Sequence, residues 1–158
     1  MTVKIKVDER KWVKAKRLAR QKRKELRIGV LEAEAKQPHP SREGVTVGEV
    51  AAWMEYGTNG KPPTPARSWL FDWLDENIDV IVKQLAADTF RVVLGKPPED
   101  EATALGKRGS VYRQQIEDRI RYANAFDSNA PLTIRKKGFD LPLIDTETFI
   151  EAIRWEVK

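Results

Sequence analysis

The sequence of 158 residues has no cysteine and only one histidine, His39. The absence of cysteine excludes disulfides, thiolate metal sites and cysteine nucleophiles, and it suits a protein made in a reducing cytoplasm. His39 lies between two prolines, with no second ligand or nucleophile close in sequence, so we expect an exposed loop histidine. The signatures G-x-S-x-G, H-E-x-x-H, the P-loop and the dinucleotide-binding fingerprint are missing as well.

Long apolar runs are also lacking. No apolar segment approaches the roughly 18 residues that span a bilayer, and the first ten residues lack the apolar core of a signal peptide. Carboxylate pairs are abundant, and clustered acids can hold a metal in nucleases. Here they lie mostly on the polar sides of predicted helices, where solvated charge is normal. We therefore expect a protein that is not an enzyme, has no cofactor and does not contact a membrane.

Positive charge is concentrated near the N-terminus. The chain has 29 basic and 24 acidic residues, and nine of the basic ones lie between Arg10 and Lys24. The segment from Arg10 to Glu25 is predicted to be a helix with a narrow apolar stripe that includes Trp12. Its basic face is either the solvated side of a packed helix or a surface for nucleic acid or an acidic subunit. The residues that we assign to this charged docking surface are Arg10, Lys14, Arg17, Arg20 and Lys24.

The remaining periodicity predicts a mixed fold. Residues 2–7, 26–35 and 153–157 alternate as half-buried strands do, while long helices are predicted from Pro65 to the glycine at 95 and over 99–123. We expect one α+β domain over residues 1–158, in which a small, mainly antiparallel sheet packs with the basic N-terminal helix and the long amphipathic helix. Loops are expected at 36–44 and 57–64, and connectors at 95–99 and 124–131.

Three smaller features complete the prediction. Gly106 and Gly109 weaken the helix over 99–123, so we expect a kink, a loop or a close helix approach there. Residues 132–135 are predicted to be a short extended piece, ending in a turn at Gly138. Asp145 or Thr146 is expected to cap a short helix over residues 147–152.

The stretch 45–77, VTVGEVAAWMEYGTNGKPPTPARSWLFDWLDEN, predicts a short helix, a tight loop and a long helix. We call this helix–loop–helix arrangement the elbow. Thr46 and Glu49 form a capping box for a short helix, which Gly57 ends because glycine tolerates a positive φ. The prolines of 58–64 prevent regular structure. Thr64 is expected to cap the long helix with Pro65 at its first position. A hypothesis is that Glu55 and Arg67 pair across the loop and hold the angle between the helices, the alternative being that Arg67 reaches a neighbouring subunit or a helix end.

Two blocks of this sequence carry a resemblance. E-Y-G-T at 55–58 and P-A-R-S-W-L at 65–70 form the first, and P-L-T-I-R-K-K-G at 131–138 with P-L-I-D-T at 142–146 forms the second. In this order, over about the last two thirds of the chain, they resemble the tail-completion (neck) proteins of long-tailed bacteriophages. Two departures are Glu147, where the pattern has glycine, and residues 151–152, where it has a small residue and serine. The turn after Thr146 is therefore expected to differ.

The resemblance implies a structural virion protein at the head–tail junction, made in the host cytoplasm. Its implied partners are copies of itself in a ring, commonly sixfold, a tail terminator or tail tube protein, and head connector proteins, with DNA passing through the channel. The basic helix either lines the channel or meets an acidic adjacent ring, and we prefer the ring because a basic wall would retard DNA. The expected interface residues are Glu55, Tyr56, Gly57, Pro65, Arg67, Trp69, Leu70, Pro142, Leu143, Ile144, Asp145 and Thr146.

The alternative function is a nucleic-acid-binding module that uses the helix from Arg10 to Lys24 to contact phosphates. This helix has no recognisable DNA-binding motif and no asparagine to contact bases, which counts against the alternative. Tail completion and tail termination are not separated by the sequence.

Overall fold

The computed structural model of the protein describes residues 9–20, 23–60, 63–98, 100–122, 126–138, 140 and 147–158. The elements in chain order are α1 (Glu9–Arg20), β1 (Leu26–Val30), α2 (Glu32–Ala35), α3 (Val47–Tyr56), α4 (Phe71–Val93), α5 (Glu101–Tyr122), α6 (Pro131–Lys137), α7 (Thr148–Glu151) and β2 (Ile153–Val157). None of the described helices is long and apolar enough to cross a membrane.

The sheet in the described part of the chain joins the second and the C-terminal predicted strands. β1 and β2 are antiparallel, with Leu26 opposite Val157 and Val30 opposite Ile153. Glu25 and Lys158 extend the ladder by exchanging backbone hydrogen bonds of 2.9 and 3.0 Å. The α+β class is confirmed, whereas the predicted strand over residues 2–7 lies outside the described residues.

Helix α5 covers this sheet by lying across both strands. The approach is close because residue 109 is a glycine: a Cβ there would stand 2.7 Å from the Trp155 ring. The expected irregularity is therefore a close approach to a strand side chain, and α5 itself is continuous. Helix α4 packs against α5 as well, with the rings of Trp73 and Tyr112 5.7 Å apart, and α1 contacts α4.

The core lies between α3, α4, α5 and the C-terminal segment. Its fully buried side chains include Ile116, Ile150 and Ile153. Trp69 meets Phe149 edge to face with ring centroids 4.9 Å apart, an arrangement that aromatic quadrupoles favour. The other buried members of the cluster are Ala51, Trp73, Ile81, Tyr112 and Ile120.

Several predicted boundaries are wrong. The first helix ends at Arg20, because Glu25 is drawn into the ladder with Lys158. The strand predicted over 26–35 ends at Val30 and gives way to α2. Residues 132–135, predicted as extended, belong to α6, where Pro131 takes the first helical position and Gly138 ends the helix with a φ of 81°.

The largest boundary error concerns α4, which begins at Phe71 and not at Pro65. Residues 65–68 are irregular, so Pro65 has no helix to begin. The apolar residues of this amphipathic helix are also only partly buried: Ile81 and Val92 are in the core, while Ile78 and Val82 are 44% and 56% exposed. In α1, Trp12 was expected to pack inward and is 61% exposed.

His39 also departs from expectation. It is 8% exposed, and its Nδ1 accepts the backbone N–H of Ser41 at 3.2 Å. The bridge between Pro38 and Thr46 draws the ends of this loop together. The loop at 36–44 is thus tied back on itself around its histidine.

Candidate assembly surface

Glu55 is the centre of the elbow between α3 and α4. This residue is near the end of α3, 7% exposed, and its carboxylate accepts three backbone N–H groups at the start of α4. Trp69 and Leu70 donate to Oε2 at 3.0 and 3.1 Å, and Phe71 donates to Oε1 at 3.1 Å. The first N–H groups of a helix have no partner within it, and a negative charge is favoured there. Glu55 therefore caps α4 from a different helix.

Ser68 completes this cap. Its hydroxyl donates to Glu55 Oε1 at 2.5 Å and accepts the backbone N–H of Asp72 at 3.1 Å. Serine is a favoured residue at a helix start because its oxygen is within reach of these N–H groups. The serine of the segment P-A-R-S-W-L thus has a structural role here.

The predicted pairing of Glu55 with Arg67 is wrong. The Arg67 guanidinium instead donates to the backbone carbonyls of Asp127 and Ser128, at 3.5 Å, and the residue is 8% exposed. Arg67 therefore anchors the connector after α5 to the elbow. Neither a neighbouring subunit nor a helix end is needed to account for its position.

The connector is further held at Asn129, whose backbone and side-chain N–H groups donate to the Asp140 carboxylate at 2.8 and 3.1 Å. The backbone hydrogen bond from Asn129, with smaller contributions that include the charge of Arg67, lowers the pKa of Asp140. Arg67 belongs to the first block of the resemblance, and the connector that it holds precedes the second block in sequence.

Gly57 gives the elbow its tight geometry. Its φ of 73° and ψ of −178° are positive and extended, so α3 ends at a positive φ as predicted, though without a left-handed helical ψ. A Cβ at this position would lie 2.8 Å from both Thr64 O and Ala66 N. The loop closes through Thr58, whose N–H donates to Thr64 O at 2.9 Å, and Arg67 N–H donates to Met54 O at 2.7 Å.

The predicted interface residues divide into two groups. Trp69 is 3% exposed and Leu70 is half-buried, so both serve the interior. Tyr56 is 69% exposed and lies beside Phe71, which is 47% exposed, with 6.2 Å between ring centroids. Pro65 is also exposed, in the irregular segment over residues 65–68 that precedes α4. The elbow therefore presents a pair of aromatic rings from a rigid base.

The interface residues predicted in the second block, 142–146, lie outside the described residues. The residue that follows them, Glu147, has a φ of 60° in the left-handed region, a conformation that favours glycine. Its carboxylate is held by both terminal nitrogens of Arg121, at 2.9 and 3.4 Å. The hydrogen bond and charge of Arg121 lower the pKa of Glu147. Glu147 thus has a backbone conformation that glycine favours.

Part of the predicted charged docking surface lies on α1. Arg17 and Arg20 are exposed on it, in company with Lys16, whose ammonium lies 5.0 Å from the centre of the Trp12 ring. Lys24 is exposed but lies beyond the end of the helix. The surface is therefore a helix face ending at Arg20, with Lys24 outside it.

A scan against protein-family models and searches of curated proteins and of solved structures find no match to this chain. Among the described residues, no group of three or more histidine, aspartate or glutamate side chains is placed to hold a metal ion.

Sequence reasoning assigned no role to Ser68 or to the contact between Asn129 and Asp140. Ser68 gave a weak signal, because serine is favoured near a helix start. The contact of Asn129 with Asp140 joins two loops and leaves no periodic pattern in the sequence.

Proposed function

We propose that this chain is a structural protein of the virion of a long-tailed bacteriophage, located at the head–tail junction, where it forms a ring that completes the tail and joins it to the head connector. The tail terminator or tail tube protein lies on one side of this ring and the connector on the other. The chain itself contributes no chemical step.

The observation that supports this proposal most is the cap that Glu55 makes on α4. This cap is one of three contributions to the same structural role, since Glu55, Gly57 and Arg67 all hold the elbow rigid. A rigid elbow that presents Tyr56 and Phe71 to solvent is suited to a contact between proteins, because aromatic side chains are enriched at such interfaces. Rigidity also reduces the entropy lost on association.

The turn at Glu147 adds support. The resembled pattern has glycine at this position, and here a non-glycine residue keeps the backbone that glycine favours. Together with the left-handed Gly138 at the end of the P-L-T-I-R-K-K-G segment, it gives two positions of the resembled pattern a conformational reason for the residue type found there.

The test is a phage genome from which this gene is deleted. Under the proposal, electron micrographs of the lysate show filled heads and finished tails that fail to join, and supplying the gene on a plasmid restores infectious particles. As a matched control, the plasmid supplies the Gly57→Val variant of the gene, whose product cannot form the elbow. Intact infectious particles assembled without the protein would contradict the proposal.

A second candidate function is nucleic-acid binding through α1. It is favoured by Arg17, Arg20 and Trp12, all exposed on that helix, since basic and aromatic side chains together bind nucleic acid. A salt series separates the two functions. Steep loss of DNA affinity with rising salt, from a monomeric chain, would favour DNA binding.

A further inference from the structure

Helix α4 carries an apolar and acidic face that the described chain does not cover. Asp75, Ile78, Asp79 and Val82 follow the spacing i, i+3, i+4 and i+7, so they share one side of the helix. All four are exposed, Ile78 and Val82 by 44% and 56%. Within the described part of the chain, no cation pairs with the carboxylate of Asp75 or Asp79.

Helix α1 carries an exposed face that is apolar and basic. Val13, Lys16, Arg17 and Arg20 have the same spacing of i, i+3, i+4 and i+7, and all are exposed. Trp12 widens the apolar end of this face, where Val13 is itself 62% exposed. Among the described residues, Lys16, Arg17 and Arg20 form no ion pair with an acidic side chain.

The two faces match when the helices are antiparallel. The apolar end of α1 is its N-terminal end and the basic end is its C-terminal end. On α4 the order along the helix is reversed: the acidic end comes first and Val82 last. Seven residues separate the ends of each face, about 10 Å on both helices. Antiparallel packing therefore places Val13 near Val82 and Arg20 near Asp75.

We infer that α1 of one copy of this chain packs antiparallel on α4 of the next copy, with Lys16 against Asp79 and Arg20 against Asp75. Helix α1 contacts α4 within one chain, yet both of these faces stay exposed there, so a second copy of the chain is the partner that brings them together. The contact joins two different surfaces, so copies add head to tail, and such a contact closes into a ring when the rotation allows it. The inference rests on the proposed ring and names the surfaces that form it.

The contact predicts a specific response to charge reversal. Lys16→Glu/Arg20→Glu sets acid against acid, and Asp75→Lys/Asp79→Lys sets base against base. Like charges facing each other across an interface cost several kcal/mol, so each variant alone should associate about 100-fold more weakly or worse. Lys96→Glu/Arg135→Glu changes the net charge as the first variant does, but at exposed residues that belong to neither face, and should associate like the wild type.

Mixing the two variants is the decisive step. The reversed α1 of one variant complements the reversed α4 of the other, and their unchanged faces complement each other too. An equimolar mixture should therefore recover the wild-type assembly, with the variants alternating. Sedimentation velocity at low salt measures this on the full chain, and circular dichroism of each variant alone establishes that it is folded.

Three outcomes would overturn the inference. The first is a wild-type assembly that neither reversal weakens, which would leave the ring in place through another surface. The second is a mixture that stays dissociated, and the third is a wild-type chain that is monomeric at its highest soluble concentration. If Lys16→Glu/Arg20→Glu instead abolishes binding to DNA and mixing restores nothing, the basic face serves nucleic acid. The proposed junction role is judged separately, from the particles made without the gene.

Discussion

The carboxylate of Glu55 and the backbone N–H of Trp69 lie 3.0 Å apart, which makes a side chain of α3 part of the first turn of α4. The two residues are 14 positions apart in sequence. Between them the chain passes through the loop that Gly57 begins and returns to the same carboxylate. The angle between α3 and α4 is thus held by a charged, buried group and by the backbone it binds.

Removal of this carboxylate should destabilise the fold. Hydrogen bonds to charged groups contribute about 1.5–3 kcal/mol each, and several N–H groups would lose their partner together. We therefore expect Glu55→Ala to lower the free energy of unfolding by about 3 kcal/mol or more, and Glu55→Gln, which keeps one acceptor oxygen, to lower it by less. Urea denaturation measures both. Glu43→Ala, in an exposed loop, is the control, and an equal effect there would contradict the role of Glu55.

Arg67 should be needed for its shape and not only for its charge. Its guanidinium is directed at two successive carbonyls, those of Asp127 and Ser128, and a lysine ammonium lacks this forked geometry. Arg67→Lys is expected to lose most of the stability that Arg67→Ala loses, about 1–2 kcal/mol. Hydrogen exchange at Asn129 should also rise in both variants. Full retention of stability and protection in Arg67→Lys would show that charge alone suffices.

The two glycines of α5 should respond in opposite ways to alanine. A Cβ at Gly109 would meet the Trp155 ring at 2.7 Å and Leu26 at 2.9 Å, whereas a Cβ at Gly106 would meet Trp155 at an ordinary 3.4 Å. Alanine is favoured over glycine in a helix by about 1 kcal/mol. Gly106→Ala should therefore be neutral or raise the melting temperature. Gly109→Ala should lower it because helix and sheet must separate, a loss of about 1–3 kcal/mol. Equal shifts would contradict the close approach.

The sequence predicted those parts of the fold that depend on short-range patterns. The capping box of Thr46 and Glu49 is present in full, with Glu49 N–H donating to Thr46 Oγ1 at 3.2 Å and Thr46 N–H to Glu49 Oε2 at 2.8 Å. The strand at 153–157 and the α+β class follow equally from periodicity. In each case the residues that decide the structure lie within a few positions of one another.

The errors arose where a distant residue decides the outcome. Pro65 and Pro131 give the same local signal for a helix start, yet only Pro131 begins a helix. The difference is that Glu55 supplies the cap to the N–H groups of 69–71, so α4 begins six residues later than the proline suggests. The sequence likewise indicated that Glu55 and Arg67 lie at the same elbow. It did not show that each side chain binds backbone groups instead of the two side chains binding each other.

The contact between Arg121 and Glu147 should make stability depend on pH in the acidic range. The pKa of Glu147 in the folded protein lies below its ordinary value of 4.5, because Arg121 binds the charged form. A lowered folded-state pKa means that the contribution is complete above the ordinary value and is lost as the pH falls through the folded-state pKa. Glu147→Gln should thus be less stable than the wild type at neutral pH, and the difference should vanish in acid.

Other carboxylates will titrate in the same range, since Glu49, Asp100 and Asp140 also have lowered pKa values through hydrogen bonds. They act in wild type and variant alike, so the difference between the two unfolding curves isolates Glu147. Arg121→Gln removes the same contact from the other side and should produce the same convergence at low pH. A gap between wild type and Glu147→Gln that persists unchanged from neutral to acidic pH would mean that Arg121 does not hold the charged form, and the glycine-like turn at residue 147 would then need another source of support.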